Sequence, residues 1–165
     1  MRERHIISLE VEDKPGVLSR ISTLFSRRGF NVDSLTVGHT HIPGISRFTI
    51  VVRGDGEVLE QIRKQSQKLI QVLTATDLDP AQSVMREFAI VKLAHSTKDE
   101  KGNEEAKAIN EIVDFYGGRM LDSGHGQLIV EFSGSEKKIE KVFEQLQSYK
   151  VLESIRTGKL GMKIG

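Results

Sequence analysis

The sequence predicts an α+β protein built from two similar βαββαβ units in tandem. Three observations carry this reading. Apolar residues alternate with polar ones in short runs such as Ile7-Ser8-Leu9-Glu10-Val11. They recur at helical spacing in segments such as Val17, Leu18, Ile21, Leu24 and Phe25. The same order of elements then returns about eighty residues later.

In the first unit, His5 to Val11 reads as a strand with Ile7, Leu9 and Val11 on one face. Glu12-Asp13-Lys14-Pro15-Gly16 stops it and a helix follows, with Pro15 suited to a first helical position. Arg27 and Arg28 fall in its last turn, where cations suit the helix dipole, and Gly29 ends it. Asn31 to Val37 is a second strand. A loop around Pro43-Gly44 leads to a third, Arg47 to Val52, with Phe48, Ile50 and Val52 in register. Gly54-Asp55-Gly56 opens a second helix with Val58, Leu59, Ile62 and Leu69 apolar, and Ile70 to Asp77 closes the unit as a fourth strand.

Leu78-Asp79-Pro80-Ala81-Gln82-Ser83 reads as a break. In the second unit Phe88 to Leu93 is a strand, and Asn103 to Tyr116 a helix with Ala106, Ile109, Ile112 and Val113 inward. Two strands, Arg119 to Asp122 and Gln127 to Phe132, flank the hairpin turn Ser123-Gly124-His125-Gly126. A helix with Ile139, Val142, Phe143 and Leu146 follows, then a strand from Val151 to Ile155 and a short Gly-rich tail. Each unit is expected to be ferredoxin-like, a four-stranded antiparallel sheet with two helices on one face. The expected division is residues 1–78, a linker at 79–84, and residues 85–165. Small units with open sheet edges invite strand pairing with a second copy, so a homodimer is expected.

Composition narrows the function. The chain has 165 residues, 38% hydrophobic and 28% charged, with a net charge of +1. That balance gives no long-range pull on nucleic acid or anionic membrane. No apolar run approaches the roughly 20 residues that span a bilayer, and the N-terminus turns polar before a signal-peptide core forms. A cytoplasmic protein is expected. The chain has no cysteine, which excludes disulfides and thiolate metal sites.

The stretch from Val11 to Asn31 holds the chemistry. The amides of Gly16, Val17 and Leu18 would open a helix, and a helix N-terminus attracts carboxylates. Gly16 lets another molecule approach the backbone, and Asp13 stands in front, able to cap the helix or meet an ammonium group. On Asp-x-Pro-Gly alone a plain helix start is the better reading. His39-Thr40-His41 has the spacing of a metal pair but no third ligand nearby in sequence, so a solvated loop is favoured. Ser123-Gly124-His125-Gly126 precedes a strand rather than a helix, which makes it a turn and not an anion loop. Asp99, Glu100, Glu104 and Glu105, and likewise Lys137, Lys138 and Lys141, read as solvated charges.

Asp13-Lys14-Pro15-Gly16-Val17-Leu18 at the first strand–helix turn, followed by Arg28-Gly29-Phe30-Asn31-Val32, resembles the ACT-domain family, whose members bind amino acids and regulate metabolic enzymes. Leu24 through Gly38, Ser46 through Ile50 and Gln61 through Leu73 are similar to the small regulatory subunits of acetolactate synthase. That family carries an N-terminal ACT domain and an ACT-like C-terminal one. The specific motifs lie in the first half; the second lacks the Asp-x-Pro-Gly turn.

The resemblance implies an effector, typically valine, bound between the ACT domains of two protomers. Gly16, Val17 and Leu18 would offer amides to its carboxylate, Asp13 would contact its polar end, and Asn31 and Val32 of the second protomer would complete the site. Many ACT domains have Asn where this chain has Asp13; beside a ligand carboxylate Asp13 would have to face the ammonium. The implied partner is the large catalytic subunit of acetolactate synthase, which serves branched-chain amino acid synthesis. Thiamine diphosphate, FAD and Mg belong to that subunit, and this chain would carry no cofactor or catalytic residue of its own. The alternatives are a free-standing ACT regulator of transcription or metal response, and an enzyme. No helix-turn-helix segment or basic stripe supports the first. Among aromatics only Phe48 suits an RNA-binding sheet. No nucleophile–base pair or ligand cluster supports an enzyme.

Overall fold

The computed structural model describes residues 3–96 and 100–165. Asp99, read above with the solvated charges, lies outside the described residues. The chain divides into two compact units, residues 1–85 with 158–165, and residues 86–157.

The first unit runs β1 (Glu3–Glu12), α1 (Val17–Arg27), β2 (Asn31–His39), β3 (Ile45–Gly54), α2 (Gly56–Ser66) and β4 (Val72–Asp77). Its sheet has the order β2-β3-β1-β4, with every neighbour antiparallel. This is the expected ferredoxin-like arrangement, with β2 at one edge. Ile7, Leu9 and Val11 of β1 and Phe48, Ile50 and Val52 of β3 pack against Val17, Ile21 and Phe25 of α1 and Ile62 of α2. Asp55 caps α2, accepting from the Val58 amide at 3.0 Å. Two apolar residues assigned to elements fall outside them. Leu69 lies beyond the end of α2 and Ile70 ahead of β4, in a loop where Ile70 is 87% exposed.

The sheet also buries residues on its other face. Ile6, Val51 and Leu78 form a small cluster with Met85. The unbroken run Ile50-Val51-Val52 is the sequence trace of a strand covered on both sides. Part of the cover is the Gly-rich tail, which carries a short strand, β9 (Leu160–Lys163). The Gly161 amide lies 3.4 Å from Thr49 Oγ1, and the Ile164 amide donates to Gln82 O at 2.9 Å. A Cβ on Gly158 would meet the Ser34 side chain at 2.6 Å, and Gly158 has a φ of 76°. We therefore expect Gly158→Val to lift the tail and destabilise the protein by about 1–3 kcal/mol, read as a lower midpoint in urea unfolding.

A 3-10 turn at Pro80–Gln82 leads into β5 (Ser83–Ala94), which continues into the second unit. There follow α3 (Glu100–Phe115), β6 (Arg119–Gly124), β7 (Gln127–Gly134), α4 (Glu136–Leu146) and β8 (Val151–Arg156). The antiparallel order is β6-β7-β5-β8, the same topology as in the first unit, and β9 pairs β5 off this path. β6 and β7 meet in a two-residue turn, His125 and Gly126, both with positive φ (54° and 74°), as a type I′ hairpin requires. Ala89, Val91, Leu93, Leu128, Val130 and Phe132 pack against Ile109, Val113, Ile139, Val142 and Leu146.

Glu87 is only 4% exposed and is held by Arg156 Nη2 at 2.5 Å, while the Arg156 guanidinium lies 5.5 Å from the Phe143 ring centre. Removing one member of a buried pair leaves an uncompensated charge. Arg156→Met is therefore expected to cost about 3–5 kcal/mol, and adding Glu87→Gln to recover most of it. Urea unfolding of the two variants checks this. On the exposed face of the same sheet, hydrogen bonding and charge from Lys92 hold the Glu153 carboxyl below its ordinary range.

Candidate functional site

The first strand–helix turn is built differently from the sequence expectation in one respect. Pro15 is not the first helical residue. It sits in the preceding turn, Gly16 takes the N-cap position, and α1 begins at Val17. Gly16 has a φ of 85°, a left-handed conformation that costs other L-residues about 1–2 kcal/mol, and a Cβ there would meet nothing within 4 Å. This glycine shapes the turn and leaves the space before the helix open.

The loop is anchored from two sides. The Glu12 amide donates to Gln71 O at 2.9 Å, and the Asp13 amide to Gly44 O at 2.8 Å, so the β2–β3 loop buttresses the turn. The Val17 amide donates back to Lys14 O at 3.3 Å, and the first helical bond ending on Gly16 comes from Arg20. Among the described residues, no backbone acceptor answers the Gly16 or Leu18 amides. Of the three amides expected to be open, one is thus engaged in the turn. Leu18 itself is 49% exposed, so it leaves the apolar stripe assigned to it and lies at the rim of the tip.

Asp13 does not cap α1, whose N-terminus has no side-chain cap. Its carboxylate lies instead 3.4 Å from Nδ1 of His39, at the end of β2, and His39 Nδ1 is 3.5 Å from Ser46 Oγ. Lys14 pairs with Glu12 at 2.8 Å. The Asp13–His39 approach has no sequence signal. The two residues are 26 positions apart, brought together only because β2 ends beside the β1–α1 turn. No group of three or more His, Cys, Asp or Glu side chains that could hold a metal ion occurs among the described residues.

Asn31 and Val32 open β2 at the other end of α1. The Asn31 side-chain amide donates to Asp33 Oδ1 at 3.2 Å, and Asp33 is held by Arg53 Nε at 2.7 Å. Val32, Leu35, Ile21, Phe25 and Phe30 line a groove of about 340 Å³ between α1 and the edge strand. Within one chain the expected site is therefore split. Gly16 precedes and Asn31 follows α1, an eleven-residue helix about 16 Å long.

Both halves of the chain match described families. Residues 7–74 match the AHAS small subunit-like ACT domain, and residues 86–165 the small subunit of acetolactate synthase. A Methanothermobacter thermautotrophicus protein named "Probable acetolactate synthase small subunit" is 44% identical over 99% of this chain and 94% of its own. The acetolactate synthase small subunit of Bacillus subtilis is 39% identical over 94% and 87%. The crystal structure of the acetolactate synthase small subunit from Thermotoga maritima superposes with a TM-score of 0.88 at 35% identity, covering 99% of this chain and 98% of that one. With the tandem fold, the glycine-tipped helix and these full-length likenesses in agreement, the chain belongs to the acetolactate synthase small subunit family.

Proposed function

We propose that this chain is the regulatory subunit of an acetolactate synthase: it binds the thiamine-diphosphate-dependent catalytic subunit, raises its activity, and lowers it again when a branched-chain amino acid, typically valine, binds. The observation that carries the effector site is the split just described, with an open helix tip and an exposed edge strand at opposite ends of α1.

Pairing two β2 strands antiparallel about a two-fold axis joins the halves. In such an isologous contact the start of one β2 lies beside the end of the other. Asn31 of one copy then faces His39 of the other, next to Asp13 and Gly16. The effector's carboxylate meets the Gly16 and Leu18 amides, with Val17 in the same turn. Asp13 stands beside its polar end, and Asn31 and Val32 of the second copy close the site. The exposed β2 edge and the apolar groove beside it support this contact, since an uncovered edge strand is a template for pairing.

Feedback then follows by linkage. If the effector binds one arrangement of the dimer better, it draws the complex toward that arrangement. A coupling of about 1–3 kcal/mol gives about 5–150-fold regulation. The test is reconstitution with the catalytic subunit. Addition of this chain should raise acetolactate formation severalfold, and valine should reverse the rise. A catalytic subunit indifferent to the chain would contradict the reading.

A further inference from the structure

The Asp13–His39 approach poses a problem for the proposed site. An Asp beside a helix N-terminus is itself a good partner for open amides and is favoured there by the helix dipole. Free to turn inward, Asp13 would compete with an effector's carboxylate for the Gly16 and Leu18 amides and repel it by charge. Yet its carboxylate is turned to His39 Nδ1, 3.4 Å away, and α1 stays uncapped.

We infer that His39 is a positioning residue of the effector site: its ring holds Asp13 off the helix tip and leaves the tip amides to the effector's carboxylate. This rests on the effector site proposed above.

The other charged groups around the pair do not replace this contact. Lys14 is engaged with Glu12 at 2.8 Å, and Arg47, which adjoins Ser46, pairs with Glu10. Ser46 is neutral and close enough to orient the His39 ring. His41, two residues further along the loop, is the remaining titratable group nearby in sequence. In the β2-paired dimer, Asn31 of the second copy adds no charge beside the pair.

Contacts between exposed side chains are modest, so loss of the His39 ring is expected to weaken effector binding about threefold.

Calorimetric titration of the full chain with valine, leucine and isoleucine tests this. His39→Ala should bind about threefold more weakly than the wild type, His41→Ala should bind like the wild type, and Asp13→Asn should bind at least as tightly as the wild type, with or without His39→Ala. Two results overturn the inference alone: undiminished binding in His39→Ala, or weaker binding in Asp13→Asn, which would mean that Asp13 holds the effector's ammonium directly. Failure of the site itself looks different. In that case none of the three amino acids binds, or Gly16→Asp binds them as well as the wild type does.

Discussion

Gly16→Asp is expected to weaken valine binding by at least tenfold, on the order of several kcal/mol for like charges brought together in a binding site. The position is suited to the test. A Cβ at Gly16 meets nothing within 4 Å, so the side chain enters open space before α1 rather than the core. There its carboxylate takes the place proposed for the effector's. The positive φ of 85° adds a backbone cost of about 1–2 kcal/mol that would otherwise blur the result. Gly16→Asn separates the two effects, because Asn tolerates this conformation and carries no charge. Calorimetry should show binding retained in large part by the Asn variant and lost by the Asp variant. Equal binding in both would place the effector elsewhere.

Val37→Lys is expected to convert the dimer to monomers at micromolar concentration and to abolish effector binding with it. Val37 lies on the edge strand β2, is 46% exposed, and pairs with Phe48 of β3. A lysine on an edge strand is a common device against edge-to-edge pairing. The change touches neither Gly16 nor Asn31, and its apolar loss is small because the residue is already half in solvent. Light scattering should therefore report a halved mass, with the far-UV circular dichroism unchanged. A variant that stays dimeric and binds valine normally would show that β2 is not the joint.

The element order was legible because the pattern repeats. β5 and β7 alternate in burial, β1 and β3 carry dense apolar runs, and α1 and α4 carry strong apolar faces, so two units of one topology could be read from sequence alone. Where the reading slipped, the cause was non-local. Leu69 and Ile70 continue an apolar run and look like helix and strand, yet nothing packs on Ile70. Pro15 satisfies the rule for a first helical position, but Gly16 turns left-handed and starts α1 two residues later. The tail looks like a featureless Gly-rich end. Only the sheet of the first unit, with Ser34 close under Gly158 and Thr49 within reach of Gly161, shows why those glycines are there.

The candidate site was legible in its residues and not in its electrostatics. Gly16 and Asn31 stand out by motif, and the edge position of β2 follows from strand order. The Asp13–His39 contact depends on where the β2–β3 loop returns, which Gly44 fixes by accepting the Asp13 amide. No local pattern encodes that. His39, expected in a solvated loop, is indeed solvent-exposed but ends a strand beside the helix tip.

Complementation between two defective chains is the most direct measurement of the shared site. Gly16→Asp and Asn31→Leu should each lose valine binding as homodimers. Mixed one to one and re-equilibrated, half the dimers are hybrids, and each hybrid holds one site with both residues intact, so binding should return at roughly one quarter of a site per chain. A mixture that stays as silent as its parents would show that Gly16 and Asn31 do not meet across two copies of this chain.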